Sequence, residues 1–224
     1  TTRLVGSEMC IRDRPSIDST FRKKYLEKDE NYILKYNYED RFIVRTGYSY
    51  IYNSAGRALM NNSGIGNSYT IRLNFELAGN LLYAVAKLGG MKKNALGEYT
   101  LLNIPFAQYL KGDFDFAKNL VIDNRNSLAF HFGAGIAIPY GNATMLPFEK
   151  RYFSGGANSV RGWSVRDLGP GSFPGDNNFM NQSGDIKLDA SIEYRTRLFW
   201  KFRGALFVDA GNIWTIRDYL SLIH

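Results

Sequence analysis

Long runs of alternating apolar and polar residues constrain the fold of this chain more than any other feature of its sequence. In the clearest run, Ile186, Leu188, Ala190, Ile192, Tyr194 and Leu198 share one parity, and Lys187, Asp189, Ser191, Glu193, Arg195 and Arg197 share the other. A period of two places successive side chains on opposite faces of a β-strand. Similar runs occupy residues 32–52, 69–77, 110–116, 128–138 and 202–210. The pattern predicts an all-β fold with about six consecutive long antiparallel strands.

The length of these runs favours a membrane barrel over a soluble β-sandwich, although both folds have one apolar and one polar face. Soluble strands usually have about 5–6 residues, whereas a tilted membrane strand needs about 9–11. Aromatic residues near the strand ends suit a membrane interface; they are Tyr48, Tyr50, Tyr52, Trp200 and Trp214. Six strands cannot close a membrane barrel, because the smallest barrels have about eight. We therefore predict a partial transmembrane barrel, open because it is truncated at both ends.

Composition narrows the possible partners and chemistry. The net charge of +7 is spread along the chain rather than clustered, which does not favour a nucleic-acid partner. The chain has one cysteine, so it has neither an internal disulfide nor a multi-cysteine metal site. No run of about 18 apolar residues predicts a membrane helix. Neither a nucleophile elbow nor a phosphate-binding loop is present. We predict no enzymatic activity, no cofactor and no metal site.

The two ends of the chain show no structural pattern. Residues 1–14 and 220–224 resemble translated sequencing-adapter carry-over, so we exclude both from fold reasoning as artefacts. An ordinary disordered terminus is the alternative. Residues 15–219 would then form the barrel fragment. Within it, residues 20–29 and 81–88 predict short helices, and a long loop, 139–183, separates the fourth and fifth strands.

The tip of this long loop combines glycines with an arginine. Gly155, Gly156 and Gly162 allow backbone angles that are closed to other residues. Arg161 presents five donors in a rigid fork, which suits carboxylates held at fixed positions. The spacing indicates a loop tip shaped for insertion against another surface.

Two carboxylates on neighbouring strands are candidate partners of this arginine. The predicted turn near Trp200 makes Glu193 and Asp209 cross-strand neighbours, directly opposite or one diagonal step apart. Carboxylates at that separation repel each other unless a cation lies between them. Arg161 is one candidate cation. In the alternative, Arg195 or Arg203 on the same face neutralises the carboxylates, and Arg161 is solvated.

Two motifs in this order resemble the BamA/TamA family of outer-membrane assembly barrels, within the surface-antigen translocase superfamily. The first is Phe153-x-Gly-Gly-x-x-x-Val-Arg-Gly-Trp163, which contains Gly155, Gly156, Val160, Arg161, Gly162 and Trp163. The second is Phe207-x-Asp-x-Gly-x-x-Trp214, with Gly211 inside it and Glu193 before it. The sequence is most similar to Bacteroidetes members of the family, and the resemblance covers residues 20–219. Trp163 replaces the usual Phe or Tyr, which keeps an aromatic ring but changes its bulk.

The resemblance implies a function in the bacterial outer membrane. It implies a barrel of about sixteen strands in which the loop folds back into the lumen and Arg161 contacts Glu193 and Asp209. The expected partners are the lipid bilayer, unfolded outer-membrane protein clients, periplasmic POTRA domains and accessory lipoproteins. Such a barrel helps to fold and insert β-barrel clients without consuming nucleotide. A passive porin or an autotransporter-type pore is the alternative, because it would share the strands.

Overall fold

The protein is described by a computed structural model that covers residues 2–11, 36, 41–55, 67–94, 97–172 and 182–216. In chain order its elements are β1 (Thr2–Ile11), β2 (Phe42–Asn53), β3 (Ser68–Ala78), α1 (Asn80–Leu88), β4 (Thr100–Leu101), β5 (Ile104–Pro105), β6 (Tyr109–Val121), β7 (Asn126–Pro139), β8 (Ile186–Arg197) and β9 (Arg203–Trp214). Seven strands form one sheet in the order β1-β2-β3-β6-β7-β8-β9, and β4 and β5 form a separate two-stranded sheet. All of these pairings are antiparallel. The outermost strands β1 and β9 do not pair with each other in the described part of the chain, so the predicted open, antiparallel all-β fold is confirmed.

The alternation in the sequence appears as two different faces of the sheet. One face exposes large apolar side chains from six strands, including Tyr48, Leu73, Phe75, Phe114, Phe132, Ile136, Leu188, Ile192, Leu206 and Val208. The other face is polar and is covered by the connection between β7 and β8. Tyr109 of β6 and Ile213 of β9 are fully buried there, in one cluster with Leu146 and Tyr152 of that connection. The sheet is therefore apolar on its uncovered face and polar beneath the loop.

The connections differ between the two ends of the sheet. Residues 12–41, 79–108 and 140–185 join strands at one end, whereas residues 54–67, 122–125 and 198–202 join them at the other. Membrane barrels have the same asymmetry, with longer extracellular loops and shorter periplasmic turns. Trp200 lies in a short turn, and Trp214 ends β9 at the long-loop end. The two tryptophans therefore mark opposite ends of the strands.

Three predicted boundaries require correction. The strand predicted over residues 110–116 continues as β6 to Val121. The first strand was predicted over residues 32–52 but begins at Phe42, and Tyr36 has helical backbone. The tyrosines before residue 42 continue the alternation, but alternation alone does not fix where backbone pairing starts. The last strand extends beyond residue 210 to Trp214, because Ala210–Trp214 keep their pairing with β8.

Short helices were predicted at two places. The helix predicted at residues 81–88 is confirmed as α1, whereas the one predicted at 20–29 lies outside the described residues. No helix in the described ranges is long and apolar enough to cross a membrane.

Strand β1 was not expected. The sequence predicts no regular structure for residues 1–14, yet Thr2–Ile11 pair with β2, with an irregularity between Val5 and Glu8. An edge strand offers a row of unpaired backbone donors and acceptors, which can pair with another segment without requiring a side-chain pattern. The proposed origin of residues 1–14 as carry-over stays a prediction. The tail at 220–224 lies outside the described residues.

Candidate functional site

The glycine-rich loop forms a compact turn above the polar face of the sheet. The Gly156 N–H donates to the Trp163 carbonyl at 2.8 Å, and the Trp163 N–H donates to the Val160 carbonyl at 3.2 Å. Gly155 and Gly156 have φ values of 97° and 89°. A Cβ on Gly155 would lie 2.1 Å from the Ser164 carbonyl oxygen. Both the backbone angle and the close contact therefore require glycine at position 155.

The third glycine of the motif has no such requirement. Gly162 allows a backbone angle closed to other residues, but it does not have a positive φ. A Cβ at this position would meet no atom within 4 Å. Gly155 and Gly156 therefore turn the chain, and Gly162 follows the turn in a conformation open to other residues.

Arg161 lies against the carboxylates of Glu193 and Asp209. Its Nε and Nη2 atoms donate to the two oxygens of Asp209, each at 2.7 Å, and its backbone N–H donates to Asp209 Oδ2 at 3.0 Å. Its Nη1 atom donates to Glu193 Oε2. The guanidinium fork thus binds one carboxylate with two atoms and the neighbouring carboxylate with the third, which is a geometry that lysine cannot reproduce.

The strand register explains why both carboxylates reach one guanidinium. Glu193 pairs with Phe207, and Asp209 pairs with Ser191, so the two acids are one diagonal step apart on β8 and β9. Hydrogen bonds with Asp209, followed by those with Glu193, raise the pKa of Arg161 above its ordinary value. The arginine therefore stays charged and offsets the repulsion between the acids. Arg195 also contacts Glu193, with Nε 2.6 Å from Oε1, so the two candidate cations act together at this residue.

The remaining motif residues divide into those that contact the arginine loop and those that do not. The Arg161 guanidinium lies 3.6 Å from the centre of the Phe207 ring, a separation typical of a cation–π contact. Val160 is buried, and a Cβ on Gly211 would come within 3.0 Å of its Cγ2 atom. Gly211 therefore allows the loop to lie close to β9. Trp163 and Trp214 are partly exposed, and neither has a described contact with the guanidinium.

A second attachment joins the beginning of the loop to β6 and β7. The Tyr152 hydroxyl donates to Asp113 Oδ1 at 2.5 Å, and its ring packs over Gly135, where a Cβ would come within 2.6 Å of the ring. Burial, and then the hydrogen bond to Asp113, raises the pKa of Tyr152 above its ordinary value, so the hydroxyl remains a donor. Sequence reasoning missed this contact. The parity of Asp113 indicated an inward side chain, but nothing in the sequence indicated its partner.

Further pairs of polar side chains continue along the polar face. Glu76 on β3 contacts Arg45 Nη1 at 2.7 Å and Lys150 Nζ at 2.8 Å. On the next strands, His131 Nε2 lies 2.8 Å from Asp115 Oδ2, and Nδ1 lies 3.4 Å from Asp189 Oδ2. Within the described ranges, no three His, Cys, Asp or Glu side chains converge as a metal site would require. The polar face is therefore lined by ion pairs on several strands, and the Arg161 cluster is the one formed by the loop tip.

Comparison with known proteins identifies the family. The model of the family described as the Omp85 superfamily domain matches residues 13–220. The chain belongs to the Omp85 superfamily. The Omp85 match begins near the end of the segment that we set aside as carry-over, and it includes the loop and all the strands from β2 onwards.

Two individual proteins are similar to this Omp85 chain. The outer membrane protein assembly factor BamA of Neisseria meningitidis serogroup B is 32% identical over 94 residues, which cover 38% of this chain and 11% of that protein. The crystal structure of BamA from Haemophilus ducreyi lacking POTRA domains 1–3 aligns with a TM-score of 0.40 and 17% identity, over 80% of this chain and 43% of that chain. The chain thus spans only a minor part of either protein.

The geometry of the Omp85 site predicts unequal effects for its two acids. Asp209 accepts three hydrogen bonds from Arg161 and its side chain is 4% exposed, whereas the Glu193 side chain is 15% exposed and is shared with Arg195. We expect Asp209→Asn to weaken loop attachment by about 2 kcal/mol and Glu193→Gln by about 1 kcal/mol. Protease cleavage of the loop in the folded barrel measures both variants. Equal cleavage rates would contradict this ranking.

Proposed function

We propose that this chain forms part of the wall of an outer-membrane barrel that assists the folding and insertion of β-barrel client proteins. The proposal includes location in the outer membrane, contact with lipid on the apolar face of the sheet, and action on unfolded clients. It also includes partnership with POTRA domains and accessory lipoproteins, and a mechanism that needs no catalytic group. Membership of the Omp85 superfamily and the similarity to BamA support it.

The observation that carries the proposal is the attachment of the loop tip to the inner wall. Arg161 binds Asp209 and Glu193 on the polar face of a sheet whose opposite face is apolar and exposed. A passive pore requires the same alternating strands, but it does not require a glycine-rich loop that places an arginine on two wall carboxylates. The loop occupies space beside the wall, so its function is better explained by shaping the barrel than by widening a channel.

The mechanism rests on backbone pairing rather than on covalent chemistry. The edge of a sheet presents unpaired N–H and C=O groups, which can recruit an incoming strand and align it. In hydrocarbon, each unpaired backbone group costs several kcal/mol, so an edge that offers pairing lowers the barrier for a client strand to enter. The attached loop would keep the strands opposite such an edge in a fixed arrangement, so that separation of strands stays confined to the edge.

Reconstitution of the full-length protein that contains this chain tests the proposal. A urea-unfolded β-barrel client is added to liposomes, and its insertion is followed by the gel mobility of its folded form. We expect liposomes that carry the protein to insert the client faster than empty liposomes and faster than liposomes carrying an unrelated barrel of similar size. Ion conductance without accelerated insertion would support the passive pore and reject the proposal.

A further inference from the structure

Helix α1 has more apolar surface than its packing covers. Its sequence, NLLYAVAKL, contains three residues with polar groups, Asn80, Tyr83 and Lys87. One side of the helix packs against protein, because Ala86 is buried in a cluster with Phe42 and Phe106 that also includes Leu82 and Tyr83. An apolar helix surface normally packs in a core or faces lipid. Its remaining side therefore needs a second apolar environment.

That remaining side is a continuous stripe on the surface of the protein. Leu81, Val85 and Leu88, which we call the outer stripe, are 71%, 57% and 89% exposed. Spacings of four and three residues place their side chains in one row along the helix. Single exposed leucines are common on protein surfaces, but three in one row on a nine-residue helix form a directed apolar surface.

The charges beside the outer stripe have a single sign. Residues 79–94 contain three lysines, Lys87, Lys92 and Lys93, and no aspartate or glutamate. All three lysines are exposed, and Lys87 lies in the last turn of the helix. An apolar row flanked by lysines is the pattern of helices that lie in a membrane interface, where acyl chains take the apolar side chains and phosphates attract the cations.

The position of α1 in the chain also suits a membrane interface. The helix follows β3 directly, at the end of the sheet that has the long connections. Phe75 and Leu77 on β3 are exposed on the apolar face of the sheet, only a few residues before the outer stripe begins. The apolar surface of the strand therefore leads along the chain to the helix, and the lysines lie beyond it.

We propose that the outer stripe of α1 docks into the outward-facing leaflet of the membrane, with Lys87, Lys92 and Lys93 binding the phosphates of anionic lipid headgroups. The inference rests on the proposed membrane location of the sheet, and it adds a lipid-binding site outside the strands. The helix is held on one side by the cluster with Phe42 and Phe106 and on the other side by lipid. It thereby fixes the connection 79–108 at the membrane surface.

Fluorescence quenching in the full-length protein tests the docking. A nitrobenzoxadiazole probe is attached at Val85→Cys in a cysteine-free background that includes Cys10→Ser, and the protein is reconstituted in vesicles containing phosphatidylglycerol. Asn80→Cys, on the polar side of the same helix, is the matched control. We expect nitroxide-labelled lipids to quench the probe at position 85 and aqueous iodide to quench the probe at position 80. Iodide quenching of equal strength at the two positions would overturn the proposal, and so would protection of position 85 from both quenchers, because protein would then cover the stripe.

Neutralising the lysines tests the anionic-lipid component. Each lysine near an anionic surface changes the docking equilibrium by about fivefold. We therefore expect the double variant Lys87→Gln and Lys92→Gln to lower lipid quenching at position 85 in anionic vesicles. In neutral vesicles, lipid quenching at position 85 should stay unchanged. An equal response in both kinds of vesicle would overturn the role of the lysines.

Client insertion is measured on the same samples, in order to separate the docking from the proposed function. An exposed stripe with normal insertion rejects the docking alone, whereas a docked stripe without insertion activity rejects the proposed function alone.

Discussion

Replacing Arg161 with alanine is expected to detach the loop tip from the barrel wall and to slow the client insertion that we propose for this protein. The change removes the side-chain hydrogen bonds to Asp209 and Glu193 and leaves two adjacent carboxylates without the Arg161 cation between them, whereas the backbone N–H of residue 161 can still donate to Asp209. Breaking a buried ion pair costs about 3–5 kcal/mol. The Arg161 side chain is 25% exposed and Arg195 still contacts Glu193. We therefore expect a smaller loss, about 2–3 kcal/mol, in the free energy that attaches the loop to the wall. Two measurements test this expectation. One is the temperature at which the barrel loses its folded gel mobility, and the other is the rate of client insertion.

Two other arginine variants make this expectation specific. Arg161→Lys keeps the charge but not the fork that binds Asp209 with two atoms, so we expect it to recover less than half of the loss. Arg166→Ala removes an arginine of the same loop whose guanidinium lies 4.7 Å and 4.9 Å from the ring centres of Phe148 and Phe153. We expect Arg166→Ala to weaken the loop attachment by about 1 kcal/mol or less. Wild-type heat resistance and insertion in Arg161→Ala would show that the wall contact has no role.

Substituting Gly155 with alanine is expected to disrupt the loop nearly as strongly, through the backbone rather than through charge. The residue has a φ of 97°, and an added Cβ would lie 2.1 Å from the Ser164 carbonyl oxygen. A non-glycine residue in such a conformation costs about 1–3 kcal/mol, and the overlap with backbone adds to that cost because the carbonyl cannot rotate away as a side chain would. Loop cleavage by protease and the thermal loss of folded mobility report the change.

Gly162→Ala is the matched control for this experiment, because it adds the same methyl group to the same motif. Gly162 does not have a positive φ, and a Cβ there would meet no atom within 4 Å. We expect a change within about 0.5 kcal/mol. If Gly162→Ala were as disruptive as Gly155→Ala, the bound loop would have a different conformation from the one described.

The strands and the diagonal pair of acids could be predicted from the sequence because both follow from local rules. Period-two alternation assigns each side chain to a face, and a short turn near Trp200 fixes the register of β8 against β9. Once that register is known, Glu193 and Asp209 must be neighbours. The residues alone left Arg161 and the arginines of the same face as candidate partners, and the family resemblance favoured Arg161, because alternation says nothing about where a long loop folds.

The features that sequence reasoning missed depend on contacts between distant segments. Tyr152 meets Asp113 across 39 positions of the chain, and no local pattern fixes that separation. Strand β1 arises from backbone pairing, which leaves no mark on side-chain alternation. The start of β2 at Phe42 was missed for the related reason that alternation continues beyond the paired region. Which of the motif glycines use a positive φ was also not predictable, because the motif alone does not distinguish Gly155 and Gly156 from Gly162.

The attachments of the loop have a mechanical consequence for the barrel. Lys150 holds the loop to β3, Tyr152 holds it to β6 and β7, and Arg161 holds it to β8 and β9. A change in curvature across these five strands would alter the spans between the attachments and would have to break one of them. The five strands should therefore bend and rotate as a single stiff panel, and any breathing of the wall within the described part of the chain should concentrate in β1 and β2.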